Sequence, residues 1–158
     1  MPLRLGDKVP TLTVTPDNGQ PINLGHGQWR VVFFFPHVAT THCQLQARRY
    51  QALYPEFQAL GVDVVGVNGD TRTQQVQFRD LCVLDYPLIE DRELQLAKTF
   101  GVLDDLWPGE TRARPKRVTY LINPDGLIVR HWTDVRPGDD APTALAAARL
   151  VLEGVADE

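Results

Sequence analysis

The chain has 158 residues, 43% of them hydrophobic, and a formal net charge of −4. That length suits one domain with its own core, taken here over residues 1–158, and the ordinary apolar fraction excludes a disordered chain. The acidic balance without a dense Lys/Arg run excludes a nucleic-acid groove, and the longest apolar run, Val31 to Phe35, is far too short to span a bilayer.

In chain order, Thr11–Thr15 alternates polar and apolar as a half-buried strand does. Asp17-Asn18-Gly19-Gln20 supplies turn chemistry, and Pro21–Leu24 reads as the returning strand of an N-terminal β-hairpin. Trp29–Phe35 is rich in β-branched and aromatic residues, the pattern of a central strand buried on both faces, and Pro36 ends it. A helical stretch follows Cys43, with Leu45, Leu53, Phe57 and Leu60 on one face; Pro55 predicts a kink or break, and Gly61 a stop. Val62–Asn68 is a second buried strand. Asp70 and Thr71 cap a helix reaching Leu81 or Cys82, with Val76, Phe78 and Leu81 as its apolar contacts. Tyr86–Ile89 is a short strand, and Asp91 caps a helix holding Leu94, Ala97 and Phe100. Asp104–Lys116 reads as a loop. Val118–Ile122 and Leu127–Trp132 flank the turn Asn123–Gly126 as a second hairpin, and Pro142 opens a last amphipathic helix through Leu145, Ala148 and Leu152. The expected architecture is α/β: a mixed central sheet, parallel in its first half, flanked by helices on both faces.

Only two cysteines are present, Cys43 and Cys82, too few for a disulfide-stapled scaffold. The four histidines show no metal-ligand spacing, so neither a metal nor another cofactor is expected. The first eight residues, Met1 to Lys8, lack the apolar stretch of a signal peptide, and a cytoplasmic location is expected. Cys43 falls just past the C-terminal end of a central strand, at the opening of a helix, where open α/β sheets place their sites. Unpaired backbone N–H groups and the partial positive charge of a helix start favour thiolate over thiol, and the thiolate is the nucleophile. Position alone leaves a second reading open, a small buried core residue.

The neighbours of Cys43 bear on that choice. Phe35-Pro36-x-x-x-Thr40-x-x-Cys43 resembles the active-site signature of the peroxiredoxins, and Gln46 matches a position that family fills with Glu or Gln. Arg117–Gly126 is similar to the segment carrying the family's active-site arginine at the head of a strand, and Gly6–Pro10 is similar to its usual opening. The likeness runs from about Leu5 to Leu152 and is nearest the PrxQ branch, also called bacterioferritin comigratory proteins. It implies a thioredoxin-like fold and a peroxidase. Cys43 is then the peroxidatic cysteine, with Arg117 and Thr40 orienting the peroxide and Pro36 covering the sulfur. The implied substrates are hydrogen peroxide and organic hydroperoxides, and the implied reductant is thioredoxin or another thiol. A monomer is expected, a dimer being the alternative.

The chain departs from that pattern in places. Thr41 and His42 stand where many PrxQ proteins carry Pro-Gly, so His42 and nearby His37 are either tuners of the thiolate or loop histidines. Many PrxQ members resolve the sulfenic acid with a cysteine five positions after the peroxidatic one; here that residue is Arg48. Others use a cysteine on the next helix, near Arg79 by alignment. Cys82 lies one turn beyond, about 4.5 Å along the axis. Unwinding of the helix end could bring the Cα atoms within the roughly 7 Å a disulfide requires. The resemblance therefore leaves open a Cys43–Cys82 disulfide and a one-cysteine peroxidase. A thioredoxin-like disulfide oxidoreductase would need Cys-x-x-Cys, and Thr40 and Gln46 occupy both partner positions. A non-enzymatic binding role on the same fold also stays open at this point.

Overall fold

A computed structural model of the chain describes residues 3–37, 40–104, 108, 113–133 and 135–154. Most of the expected Asp104–Lys116 loop lies outside the described residues. The elements are β1 (Thr13–Val14), β2 (Ile22–Asn23), β3 (Trp29–Phe34), α1 (Thr41–Ala59), β4 (Val62–Asn68), α2 (Arg72–Cys82), β5 (Leu88–Glu90), α3 (Gln95–Phe100), β6 (Val118–Ile122), β7 (Ile128–Trp132) and α4 (Asp140–Gly154). β1 and β2 form the expected antiparallel hairpin. The main sheet has the order β5-β4-β3-β6-β7, parallel across β3, β4 and β5 and antiparallel from β3 through β6 to β7.

β3 is central because both its faces are apolar. Val31, Phe33 and Phe35 pack with α1, α2 and α4 residues such as Tyr50, Phe78 and Leu145. Val32 and Phe34 face a second core containing Leu96, Ala97 and Phe100 of α3. The mixed sheet with helices on both faces is therefore as expected. At the β6–β7 turn, Gly126 has φ +85°, and a Cβ there would meet the Gly25 carbonyl oxygen, so only glycine fits.

Three details differ from the sequence reading. α1 runs unbroken through Pro55. The proline sits in the last turns of a helix whose buried residues already fix it to the sheet, and this packing outweighs one lost backbone bond. Those buried residues are Cys43, Gln46, Ala47, Tyr50 and Phe57, whereas Leu45 is exposed. In α2 the buried face is Gln75, Phe78 and Cys82; Val76 and Leu81 are exposed. Both errors have one cause: a buried glutamine with partners takes the place that a pattern of apolar residues assigns to leucine or valine. α4 starts at Asp140, so Pro142 lies inside its first turn.

The register sets the position of the site. Phe34 pairs with Val118, so the residue before β6, Arg117, lies at the same sheet edge as the chain leaving β3 through Pro36. The start of α1 and the loop between β4 and α2 meet at that edge, the C-terminal end of the parallel strands.

Candidate active site

Thr40 is the N-cap of α1, with φ −87° and ψ 145°. Its Oγ1 accepts from the Cys43 backbone N–H at 3.2 Å and donates to the His37 carbonyl at 3.3 Å. The cap fixes Cys43 as the third residue of the helix, within the turn whose N–H groups lack intrahelical acceptors. The cysteine is 1% exposed. Pro36 and Arg117 line one cleft of about 670 Å³, with Val102, Pro115 and Tyr120 among its apolar walls. Cys43 is buried and is not part of that lining.

Arg117 does not point freely into solvent. Its Nη1 donates to Gln46 Oε1 at 2.8 Å. Gln46 is three residues after Cys43 on the same helix face, so this bond anchors the guanidinium to the residue one helical turn after the cysteine. Gln46 in turn donates through Nε2 to Asp140 Oδ2 at 2.9 Å, and the same carboxylate oxygen accepts from Tyr50 Oη at 2.7 Å and Thr119 Oγ1 at 2.8 Å. A carboxylate can only accept, so Asp140 takes the NH₂ end of the glutamine and turns its oxygen to the arginine. Gln46, Thr119 and Asp140 are all buried. Burial pushes the Asp140 carboxyl above the usual range, opposed by these three hydrogen bonds and by the charge of Arg117. Burial, then the charge and hydrogen bond of Asp140, holds the Tyr50 phenol well above its ordinary value, so it stays a donor.

Replacing Asp140 with alanine strips three buried donors of their acceptor and is expected to cost about 3 kcal/mol in urea unfolding. Asparagine keeps an acceptor and costs less. The folded state holds the Asp140 proton more tightly than the unfolded chain. The parent therefore loses stability, relative to Asp140→Asn, as pH rises from the unfolded carboxylate value through the raised folded one.

Cys82 is the last residue of α2 and 5% exposed. Both cysteines are free and belong to one apolar cluster. Burial pushes the Cys82 thiol up, and the charge of Arg48 and its hydrogen bond to the sulfur act against that shift. Arg48 also donates to the Leu81 carbonyl at 3.3 Å. Val83, which caps the helix after Cys82, has φ 55°, a left-handed conformation that costs a β-branched residue about 1–2 kcal/mol. Arg79, one turn before Cys82, is structural: it pairs with Asp17 at 2.7 Å and donates to the Tyr86 carbonyl at 2.7 Å. His42 is exposed, while His37 bonds Asp70.

Comparison with known proteins agrees with this geometry. Residues 5–131 match the model of the AhpC/TSA family. The chain belongs to that family. Peroxiredoxin Bcp of Escherichia coli is 30% identical over 138 residues, covering 85% of this chain and 88% of that one. Peroxiredoxin Bcp of Bacillus subtilis is 27% identical, covering 97% and 99%. Among solved structures, peroxidoxin BcpB of Mycobacterium tuberculosis superposes with a TM-score of 0.83 at 27% identity, over 94% of this chain and 98% of that one. Peroxiredoxin Q of Xanthomonas campestris gives 0.82 at 26%, over 92% and 96%. As a peroxiredoxin with the thioredoxin-like fold, the chain is a thiol-dependent peroxidase that takes a peroxide and a thiol reductant.

The structure brings Pro36 and Arg117 together at the cleft, and Thr40, Cys43 and Gln46 together at the start of α1. Asp140, Tyr50 and Thr119 escaped the sequence reading. In the sequence neither Asp140 nor Tyr50 stands in a motif that marks it. The one usable signal is Thr119, a hydroxyl in a strand where every neighbour is apolar and buried.

Proposed function

We propose that Cys43 is the peroxidatic nucleophile of this enzyme and that it reduces hydrogen peroxide and organic hydroperoxides. The thiolate attacks one peroxide oxygen; the O–O bond breaks, and the other oxygen leaves with the electron pair and takes a proton as water or an alcohol. Cys43 keeps the transferred oxygen as a sulfenic acid. Charge thus moves from sulfur to the leaving oxygen, and a fixed cation with oriented N–H donors stabilises it there. The observation that carries this reading is the Arg117–Gln46–Asp140 chain, which holds a guanidinium on the residue one turn after a cysteine at a capped helix start. Pro36 shields the sulfur, and the Thr40 hydroxyl orients the peroxide from its capping position. One cytoplasmic, monomeric domain carries the whole cycle.

Cys82 then attacks the Cys43 sulfur, the S–O bond breaks, hydroxide leaves as water, and the resulting disulfide is reduced by thioredoxin or another thiol. Support comes from the strained Val83 next to Cys82, which makes the last turn of α2 inexpensive to open. The second reading, a one-cysteine enzyme reduced directly by an external thiol, is favoured by the burial of Cys82 and its raised pKa. Intact mass after one equivalent of peroxide separates them. A loss of two hydrogens in the parent, absent in Cys82→Ser, supports the disulfide. A gain of oxygen unchanged in Cys82→Ser establishes the one-cysteine route, and no mass change in either protein removes the peroxidase assignment.

A further inference from the structure

His37 lies between Pro36 and Thr40 and ties the peroxidatic segment to a neighbouring loop. Its carbonyl accepts from the Thr40 hydroxyl at 3.3 Å and the Thr40 backbone N–H at 3.4 Å. Its imidazole Nδ1 donates to Asp70 Oδ2 at 2.8 Å, across to the loop between β4 and α2. The same Asp70 oxygen accepts from Asn68 Nδ2 at 3.0 Å. The Asn68 oxygen accepts from Gln75 Nε2, which also donates to the Ile89 carbonyl at 3.0 Å. Asn68 and Gln75 are buried, and Gln75 sits on α2, the helix that ends in Cys82. A continuous polar chain thus runs from the cap of the Cys43 helix to the helix of the second cysteine. Beside it the rings of Phe35 and Phe78 stack at 5.6 Å, joining the same two segments.

We propose that His37 is a positioning residue and that the His37–Asp70 bond is a latch on the peroxidatic segment, setting how often oxidised Cys43 leaves its pocket. The proposal rests on the peroxidase reading. Cys43 is 1% exposed, so any thiol that attacks the sulfenic sulfur and displaces its oxygen as water, Cys82 or an external one, must wait for the start of α1 to move. Moving it breaks the His37–Asp70 bond, because His37 is tied to the Thr40 cap through its carbonyl. Attack on a small peroxide, by contrast, takes place in the closed arrangement. A weaker latch therefore speeds the second step and leaves the first nearly unchanged. A longer-lived closed sulfenic acid is also exposed longer to a second peroxide, which carries it to the sulfinic acid.

The test is rapid-quench intact mass spectrometry of the full chain after a pulse of hydrogen peroxide. Excess 2-mercaptoethanol is present, so that exit of Cys43 is read whichever thiol reacts. In His37→Ala the sulfenic acid should disappear about fivefold faster, the factor one partly buried hydrogen bond carries. Its formation should change less than about twofold, and less sulfinic acid should accumulate. Asp70→Ala should match it, and the double variant should be no faster than either single one. His37→Asn places a donor where Nδ1 stood and should restore the parent rate, which a general loosening of the loop would not allow. Unchanged sulfenic lifetime in both alanine variants, additive effects, or failure of asparagine to restore the rate would each overturn the latch. A parent protein that forms no sulfenic acid would instead overturn the peroxidase reading.

Discussion

Cys43→Ser is expected to lose peroxide consumption with dithiothreitol or thioredoxin as reductant, by at least about a thousandfold. A serine hydroxyl is not ionised at working pH, and neither the helix start nor Arg117 can make it so. An unionised oxygen does not displace on peroxide, so no sulfenic acid or its analogue forms and no reductant is consumed. The substitution should leave the fold alone. Serine is as small as cysteine, and the Thr40 cap binds the backbone N–H of position 43, not its side chain. Steady-state peroxide loss, read beside the urea midpoint, checks both parts. A variant with parental stability and parental turnover would mean that another group does the chemistry.

Arg117→Leu is expected to slow the second-order reaction of the reduced enzyme with peroxide by about 10²- to 10³-fold, the loss typical of removing one preorganised donor to a developing charge. Two effects add. The leaving oxygen loses a charged partner, and Gln46 loses the donor that its Asp140-fixed amide was turned to meet. Arg117→Lys should recover only part of the rate. An ammonium can reach one acceptor as a point charge, whereas a planar guanidinium can hold Gln46 through one nitrogen and present another to the peroxide. Single-turnover kinetics on reduced enzyme read this step without the reductant. If the leucine variant keeps the parental rate constant, the guanidinium is not part of the reacting centre.

The parts of the fold legible in the sequence are those set by local chemistry. The run Trp29–Phe35 can only be a strand covered on both sides, and Asn123–Gly126 can only turn a hairpin tightly. Thr71, one of the two caps read from the sequence, is the N-cap that starts α2. The helix faces were less legible because burial of a polar side chain depends on partners far along the chain. Gln46 is buried through Asp140 and Arg117, 94 and 71 residues away. Asp91 likewise caps α3 at a distance: Leu94 is the N-cap in a left-handed conformation, while both Asp91 oxygens accept from Leu96 and Ala97. The site follows the same division. Cys43, Thr40 and Pro36 stand in one short segment and could be found together, and Arg117 through its place at the head of a strand. Asp140 carries no local mark, and only the fold brings it under Gln46.

Chemical trapping at the sulfur tests the account most directly. Reduced Cys82→Ser protein is mixed with one equivalent of hydrogen peroxide in the presence of dimedone, a reagent for sulfenic acids, and digested. The label is expected on the peptide holding Cys43, in step with the peroxide consumed. Peroxide consumed with no adduct at Cys43, or an intact thiol there after the pulse, would contradict the claim that this sulfur takes the oxygen.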